Sequence, residues 1–199
     1  MLLRFGRLRL RITFLFTAFL TLALASPFPT AAAAFLLGAA AHETGHLVCL
    51  MKAGKGEYTL RLTPGGAAIA GAGTSSLPLK QALVAVLAGP AVNLALAAGL
   101  FAVGKGTGLP LEEAAAVNLG LGLVNLIPFS FFDGGRALTL LSVKAGRTGF
   151  LTHGQPVLDA LLCVLLLAAA FSLTLTGAPS PSLWCLSVYV TVHRFARRR

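Results

Sequence analysis

The sequence predicts an α-helical polytopic membrane protein with about six transmembrane helices and a short membrane-associated β-hairpin between the second and third helices. Three observations predict this class. Of the 199 residues, 56% are hydrophobic and 11% are charged, and the mean hydropathy is +0.84, so polar residues are too few to cover a soluble globule. The apolar residues form separate runs of membrane-spanning length. The 16 Lys and Arg residues stand in short stretches between those runs, as topology signals do.

The first apolar run, residues 12–25, follows a basic start and is interpreted as a retained helix. The alternative is a secretory signal peptide, because the small residues Ala23 and Ala25 also fit a cleavage site. The other five runs span about residues 30–51, 79–103, 114–132, 156–175 and 183–195.

The positive charges set the predicted orientation. With six spans and the amino terminus inside, every lysine and arginine except Lys105 lies on the cytoplasmic side. Both termini are therefore predicted to be cytoplasmic. The net charge of +10 does not point to nucleic acid, because the basic stretches lack interleaved aromatic residues and any nucleic-acid motif. The cysteines Cys49, Cys163 and Cys185 lack CxxC spacing and are expected to be small buried hydrophobic residues.

A β-hairpin is predicted between the second and third runs, over residues 57–73. Residues 57–63 alternate like a strand, Pro64, Gly65 and Gly66 are typical of a turn, and the stretch after them fits a second strand. Because this segment carries little charge, we expect it to dip into the bilayer beside the helices, where protein must shelter its backbone. The alternative is a solvated cytoplasmic loop.

A polar pentapeptide, His42-Glu43-Thr44-Gly45-His46, interrupts the second apolar run. Positions i and i+4 of a helix lie on one face, so His42 and His46 can present two imidazoles to one metal ion. Glu43 lies one position round the helix, where it can serve as a general base rather than as a ligand. Two imidazoles and a carboxylate are costly in hydrocarbon, and a bound dication would offset that cost. The spacing therefore predicts a metal site.

Asp133 is the predicted third ligand. Pro128 should open the fourth helix just before this aspartate, and Gly134 and Gly135 should end it. Because the second and fourth runs both head inward, Asp133 and His46 should lie within about two turns of the same depth. Two histidines and one carboxylate leave the fourth tetrahedral position open, as in catalytic zinc sites. The alternative for Asp133 is a plain helix-end residue at the interface.

Other polar residues also lie in or beside apolar runs. Asn93, in the proline-bent middle of the third run, needs a hydrogen-bond partner within the membrane. Asp159, near the start of the fifth run, is expected to pair with a loop cation or to reach the interface. His153 and His193 have no partner at ligand spacing, so interfacial positions are expected for both.

Three ordered motifs, HETGH at 42–46, GPAVN at 89–93 and NLIPFSFFDGG at 125–135, resemble the site-2 protease family of intramembrane zinc metalloproteases. Within that family, the six-helix plan with a short hairpin is similar to the sporulation branch that releases a membrane-tethered pro-sigma factor. That branch carries a cytoplasmic CBS domain after its last helix, which this sequence, ending at Arg199, lacks. A smaller departure is Phe132, where the family usually has leucine.

The resemblance implies a single membrane-embedded metalloprotease domain over residues 1–199. This domain comprises an N-terminal helix or signal-like segment at 1–28, a catalytic core at 29–135 and C-terminal helices at 136–199. A multi-pass location in a bacterial cell membrane is expected.

The resemblance also implies roles for individual residues. His42, His46 and Asp133 would bind Zn²⁺, and Glu43 would be the catalytic base. Asn125 would donate to the developing oxyanion or hold the substrate backbone, with helix packing as the alternative. The substrate would be the transmembrane helix of a membrane-tethered protein, unwound locally and held as an extra strand on the hairpin. A regulatory membrane protein and the lipid bilayer are the other expected partners, and nucleic acid is not one.

Two rival functions stay open at this point. A small transporter or channel would use buried His, Asp and Asn side chains as a metal or proton path, but it gives no reason for a glutamate directly after His42. An inactive relative would bind membrane proteins, although the sequence contains all the predicted ligands and the base. Only the protease hypothesis explains the three ordered motifs together.

Overall fold

The computed structural model describes residues 2–6, 8–13, 21, 29–53, 57–63, 66–71, 77–178 and 180–196. The helices of this part of the chain are α1 (Pro29–Ala53), α2 (Leu79–Thr107), α3 (Glu112–Leu126), α4 (Asp133–Lys144), α5 (Gln155–Leu175) and α6 (Pro181–Ala196). A π-helical turn, Phe150–Gly154, leads into α5. The strands are β1 (Leu2–Phe5), β2 (Leu8–Ile12), β3 (Tyr58–Thr63) and β4 (Gly66–Gly71). The predicted helical class with a small sheet is confirmed.

Three of the described helices are long and apolar enough to cross a bilayer, namely α1, α2 and the continuous helix Phe150–Leu175. Large apolar side chains cover their outer surfaces; Leu37 on α1 and Leu165 on α5 are 72% and 63% exposed. Such surfaces are unfavourable in water and favourable in hydrocarbon. The chain is therefore a membrane protein. The first predicted span, 12–25, lies largely outside the described residues, but Ile12 itself belongs to β2.

Helices α1, α2 and α3 pack against one another, and α4 packs against α2. Glycines allow two of these helix contacts to be close. A Cβ atom on Gly45 would lie 2.9 Å from the carbonyl oxygen of Ala88, and one on Gly122 would lie 2.9 Å from the side chain of Leu94. In a bilayer, the hydrophobic effect does not favour helix–helix contact over helix–lipid contact. Close packing between small residues is therefore one of the main interactions that hold membrane helices together.

The fourth predicted helix, 114–132, ends earlier than the sequence suggested. Helix α3 stops at Leu126, and an irregular stretch separates it from α4. The cause is Pro128, which disfavours helical geometry in the residue before it; Ile127 accordingly has φ −58° and ψ 134°. The prediction that the proline opens the helix is thus confirmed, although the helix ends at Leu126, six residues before the predicted end at Phe132.

The prediction that Gly134 and Gly135 end a helix is wrong, because both lie in the first turn of α4. Their function is close backbone packing. A Cβ atom on Gly134 would lie 2.6 Å from the carbonyl oxygen of Ile127, and one on Gly135 would lie 2.7 Å from the amide nitrogen of Ser130. Only glycine permits so close an approach. The start of α4 is therefore fixed directly against the irregular stretch.

The predicted hairpin is confirmed. Strands β3 and β4 pair antiparallel, with Thr63 opposite Gly66 at the turn and Tyr58 opposite Gly71 at the far end. The Tyr58 ring is 1% exposed, and its hydroxyl donates to the carbonyl oxygen of Leu50 at 2.7 Å. This bond joins the sheet to the C-terminal end of α1.

The basic amino terminus forms two strands that sequence reasoning did not predict. Strands β1 and β2 pair antiparallel, β2 pairs with β3 in parallel, and the sheet order is β1-β2-β3-β4. Glu57 forms salt bridges with Arg4, at 3.0 Å, and with Arg9. The arginines interpreted as topology signals therefore lie in a sheet, where part of their charge is neutralised.

The prediction that Asp159 pairs with a cation or reaches the interface is wrong. Its carboxylate is buried, and it accepts hydrogen bonds from the backbone nitrogen of Ser130 at 3.0 Å and the hydroxyl of Ser130 at 2.6 Å. The amide of Gln155 donates a third bond at 3.0 Å. Because Ser130 lies in the irregular stretch before Asp133, Asp159 anchors the segment that carries the predicted ligand.

We expect Asp159→Ala to lower the free energy of unfolding by about 2 kcal/mol or more, because it leaves the N–H of Ser130 without its acceptor and removes one of the two acceptors of the Gln155 amide, the other being the Pro128 carbonyl. Asp159→Asn keeps one acceptor oxygen and should lose less. Thermal unfolding of both variants in detergent measures the difference. An Asp159→Ala protein as stable as the parent would contradict the anchoring role.

The sequence also predicted how exposed the three cysteines and the two isolated histidines would be. Cys163 is buried as expected, whereas Cys49 is only half-buried and Cys185 is exposed. His153 is exposed, and its Nδ1 contacts the hydroxyl of the adjacent Thr152 at 2.8 Å, which agrees with an interfacial position. The side chain of His193 lies outside the described residues.

Candidate metal centre

The three predicted ligands meet in one buried cluster. His42 and His46 project from the same face of α1, and the break after α3 brings Asp133, the first residue of α4, to them. Oδ2 of Asp133 lies 3.0 Å from Nε2 of His42 and 3.1 Å from Nε2 of His46, and the two Nε2 atoms are 3.1 Å apart. All three residues are at most 7% exposed.

In each imidazole ring, Nδ1 points away from the cluster and lies within hydrogen-bond distance of an acceptor. Nδ1 of His46 lies 2.7 Å from the carbonyl oxygen of Ala85, and Nδ1 of His42 lies 2.6 Å from Oδ1 of Asn93. A carbonyl oxygen only accepts, so in the neutral rings both protons are on Nδ1. Both Nε2 lone pairs then face the Asp133 carboxylate. Three acceptors with no donor among them repel one another, and a cation bound between them would offset that repulsion.

The spacing fits zinc. Zinc binds imidazole nitrogen and carboxylate oxygen at about 2.0–2.2 Å, so neighbouring ligand atoms of a tetrahedral site lie about 3.3 Å apart. The three observed separations are 3.0, 3.1 and 3.1 Å. A set of two histidines and one carboxylate, held by hydrogen bonds to its outer atoms, is typical of a catalytic zinc site.

Gly89 on α2 forms the wall of this site. A Cβ atom there would overlap Nε2 of His46 and lie 2.7 Å from Nε2 of His42. The absence of a side chain at this position therefore leaves open the space onto which the two lone pairs converge. The glycine of GPAVN therefore has a direct role that its place in a small-residue helix did not reveal.

Glu43 and Arg136 surround the cluster. Glu43 is half-buried and interacts electrostatically with both histidines, with Asp133 and with Arg136. The Arg136 guanidinium donates to Oδ1 of Asp133 at 3.4 Å. Since Oδ1 faces Arg136, Oδ2 is left to face the histidines. Glu43 thus lies near the three predicted ligands and outside the group that they form.

Asn125 is not in contact with the cluster among the described residues. Its side-chain amide donates to the carbonyl oxygen of Leu121, one turn back in α3, at 2.9 Å. The asparagine of α3 that connects to the site is Asn118, which sequence reasoning missed. Its Oδ1 accepts from the amide of Asn93 at 3.0 Å. The only sequence signal was a second asparagine in an apolar helix, two turns before Asn125 and on the same face.

A buried triad of two histidines and an aspartate within a helical membrane protein defines a class, the membrane-embedded metal-binding proteins. Comparison with solved structures narrows the class. The site-2 protease from Methanocaldococcus jannaschii superposes with a TM-score of 0.69 and 22% sequence identity, covering 100% of this chain and 95% of that one. The chain therefore has the site-2 protease fold, and the resemblance given by its motifs is confirmed at this level.

A sequence relative agrees with the structural match. A protein from Synechocystis sp., by name a candidate zinc metalloprotease, is 37% identical over 104 residues, which are 49% of this chain. The chain spans 27% of the length of that relative. No family model matches the chain.

Proposed function

We propose that this chain is an intramembrane zinc metalloprotease that hydrolyses peptide bonds within or next to transmembrane segments of membrane-tethered proteins. One observation carries the proposal. One ligand atom each of His42, His46 and Asp133 lies within 4.8 Å of the other two in a buried group, and Glu43 lies near that group without belonging to it. The site-2 protease fold and the name of the Synechocystis relative support it.

His42, His46 and Asp133 would hold the ion. Bound zinc supplies Lewis-acid polarisation of the peptide carbonyl and makes water a nucleophile near neutral pH. Glu43 takes the proton from the attacking water and passes it to the leaving amine, as general base and then general acid. Arg136, hydrogen-bonded to Asp133, keeps the carboxylate turned toward the histidines.

Asn125 is proposed to assist at the substrate side of the site. Its amide hydrogen bond to Leu121 satisfies one donor, so one N–H and the amide oxygen are available for a substrate backbone. The supporting observation is its position one residue before the end of α3, next to the irregular stretch that leads to Asp133. A rotation of its side chain away from Leu121 would free the second N–H.

The active site is proposed to lie in the cytoplasmic half of the cell membrane, with both termini cytoplasmic. His46 is about two turns before the C-terminal end of α1 at Ala53. Lys52 and the arginine-bearing sheet lie at that end of α1. The positive-inside rule assigns this side to the cytoplasm. Lipid surrounds the exposed apolar helix surfaces, and a regulatory membrane protein is a further proposed partner.

A helical substrate must be unwound before its peptide bonds can react. Among the described strands, β4 has β3 as its sole partner, so its other edge is available for an extended substrate. Two residues join β3 and β4, so Thr63 and Gly66 form the hydrogen-bonded pair beside the turn. The alternation of the ladder then directs the N–H groups of Ala67 and Ile69 to the free edge.

We expect Ile69→Pro to lower cleavage of a transmembrane substrate about tenfold or more, because it removes one outward N–H donor of about 1–3 kcal/mol. The hairpin itself should persist, since proline is tolerated where an edge N–H faces outward. Zinc content should be unchanged. Ile69→Val is the matched control, because it keeps the N–H. Full cleavage by the proline variant would exclude strand addition at this edge.

The function is tested by comparing membrane proteomes from cells that carry the intact chain and cells that carry Glu43→Gln. Membrane-tethered fragments should build up in the mutant alone and disappear when the intact chain is restored. Identical proteomes under conditions in which the protein is produced would contradict proteolysis.

A further inference from the structure

A chain of buried amides runs from the predicted metal centre to α3. Asn93 is 0% exposed and Asn118 is 4% exposed. Oδ1 of Asn93 faces Nδ1 of His42 at 2.6 Å. Nδ2 of Asn93 donates to the carbonyl oxygen of Gly38 and to Oδ1 of Asn118, both at 3.0 Å. Nδ2 of Asn118 donates to the carbonyl oxygen of Ala114 at 2.9 Å.

Backbone carbonyls fix the direction of every bond in this chain. Gly38 and Ala114 offer oxygens that only accept, so each must face the NH₂ side of an asparagine. Asn118 is thereby oriented with Oδ1 toward Asn93, and Asn93 with Oδ1 toward His42. His42 must then carry its proton on Nδ1.

The two histidines differ in what holds them. His46 is oriented by the backbone oxygen of Ala85, which no substitution removes. His42 is oriented by the side chain of Asn93, and the side chain of Asn93 is held in turn by that of Asn118. Buried amides in hydrocarbon are costly unless satisfied, so the arrangement is specific rather than incidental.

We propose that Asn93 and Asn118 are positioning residues of the metal site. Asn93 holds His42 as the Nδ1–H tautomer, so that its Nε2 lone pair faces Nε2 of His46 and Oδ2 of Asp133. Asn118 acts one step further out: together with the Gly38 carbonyl it accepts from the NH₂ group of Asn93, which keeps the oxygen of Asn93 toward His42. The proposal rests on the metal-binding part of the proposed function and not on proteolysis.

The test measures zinc affinity of the purified full chain in detergent by competition with a chelator, without any protease assay. Asn93→Ala should weaken zinc binding about 10- to 100-fold, the usual cost of losing a partner that orients a histidine ligand. Asn93→Asp should weaken zinc binding less than Asn93→Ala, because a carboxylate still accepts the Nδ1–H of His42, although it can no longer donate to Gly38 and Asn118. If both variants lose affinity equally, Asn93 serves packing and the proposal fails.

Asn118 is tested by a similar pair. Asn118→Leu matches the side-chain size but leaves the amide of Asn93 held by the Gly38 carbonyl alone, so zinc affinity should fall. Asn118→Asp still accepts from Nδ2 of Asn93 and should stay within about threefold of the parent, far less than the loss of an orienting partner costs. Leu119→Ala, at an exposed position of the same helix, is the matched control and should leave zinc affinity unchanged. Equal affinity for Asn118→Leu and the parent would overturn the role of Asn118.

A spectroscopic readout separates orientation from folding. In protein with ¹⁵N-labelled histidine, the His42 ring nitrogens should show the Nδ1–H tautomer in the zinc-free parent and in Asn93→Asp, and a tautomer mixture in Asn93→Ala. An unchanged tautomer in Asn93→Ala would overturn the proposal. A parent chain that binds no zinc would instead overturn the proposed function itself, so the two failures are distinguishable.

Discussion

Glu43→Gln is expected to abolish proteolysis while leaving bound zinc at the level of the parent protein. Glutamine keeps the size and hydrogen-bonding reach of glutamate but cannot take a proton from water. Loss of a general base costs about 10²- to 10⁴-fold in rate. Because Glu43 lies beside the three ligands and is not one of them, the metal site should be unaffected. The measurement is cleavage of a transmembrane substrate in proteoliposomes, with zinc content determined on the same preparation.

The matched controls are Glu112→Gln and Glu113→Gln, which remove the same charge from exposed positions in the first turn of α3. Both should cleave at the parental rate. The comparison also separates the rival functions, since a metal or proton path through the site need not lose its activity with Glu43, and an inactive relative has none to lose. Cleavage by Glu43→Gln at the rate of the controls would refute the assignment of the base.

The ligand pair on α1 could be predicted because its geometry is local. A spacing of four residues fixes two side chains on one face of any helix, whatever surrounds it. The hairpin was predictable for a similar reason, since a turn signal between two extended stretches sets its own register. Asp133 was predicted from topology, which placed two distant segments at the same depth without fixing how they meet.

The failures concern interactions between distant segments. In Asp-Gly-Gly, glycine is typical both of a helix end and of close backbone contact, and only the tertiary contact of Gly135 with the stretch before it decides between them. Strand β2 pairs in parallel with β3, which lies far along the chain. The arginines of β2 were interpreted as topology signals, so this pairing was not predicted. Asn118 acquires its role only because Asn93 lies opposite it on α2.

Gly89→Ala is expected to remove zinc binding altogether. The added methyl group would occupy the space between the two imidazoles, overlapping Nε2 of His46 and lying 2.7 Å from Nε2 of His42. Zinc must approach both nitrogens to about 2.1 Å, so the methyl group and the ion exclude each other. The loss should exceed the about 10- to 100-fold that follows from removing a supporting hydrogen bond. Chelator competition on the purified variant measures it.

Gly99→Ala provides the control on the same helix, since a Cβ there meets no atom of the described residues within 4 Å. Alanine stabilises a helix interior by up to about 1 kcal/mol relative to glycine, so Gly99→Ala should unfold at or above the parental temperature and bind zinc normally. A folded Gly89→Ala chain that still binds zinc with parental affinity would show that the histidines do not converge against α2. The ligand set would then have to be sought elsewhere, because the site described has no room for both the ion and a side chain at position 89.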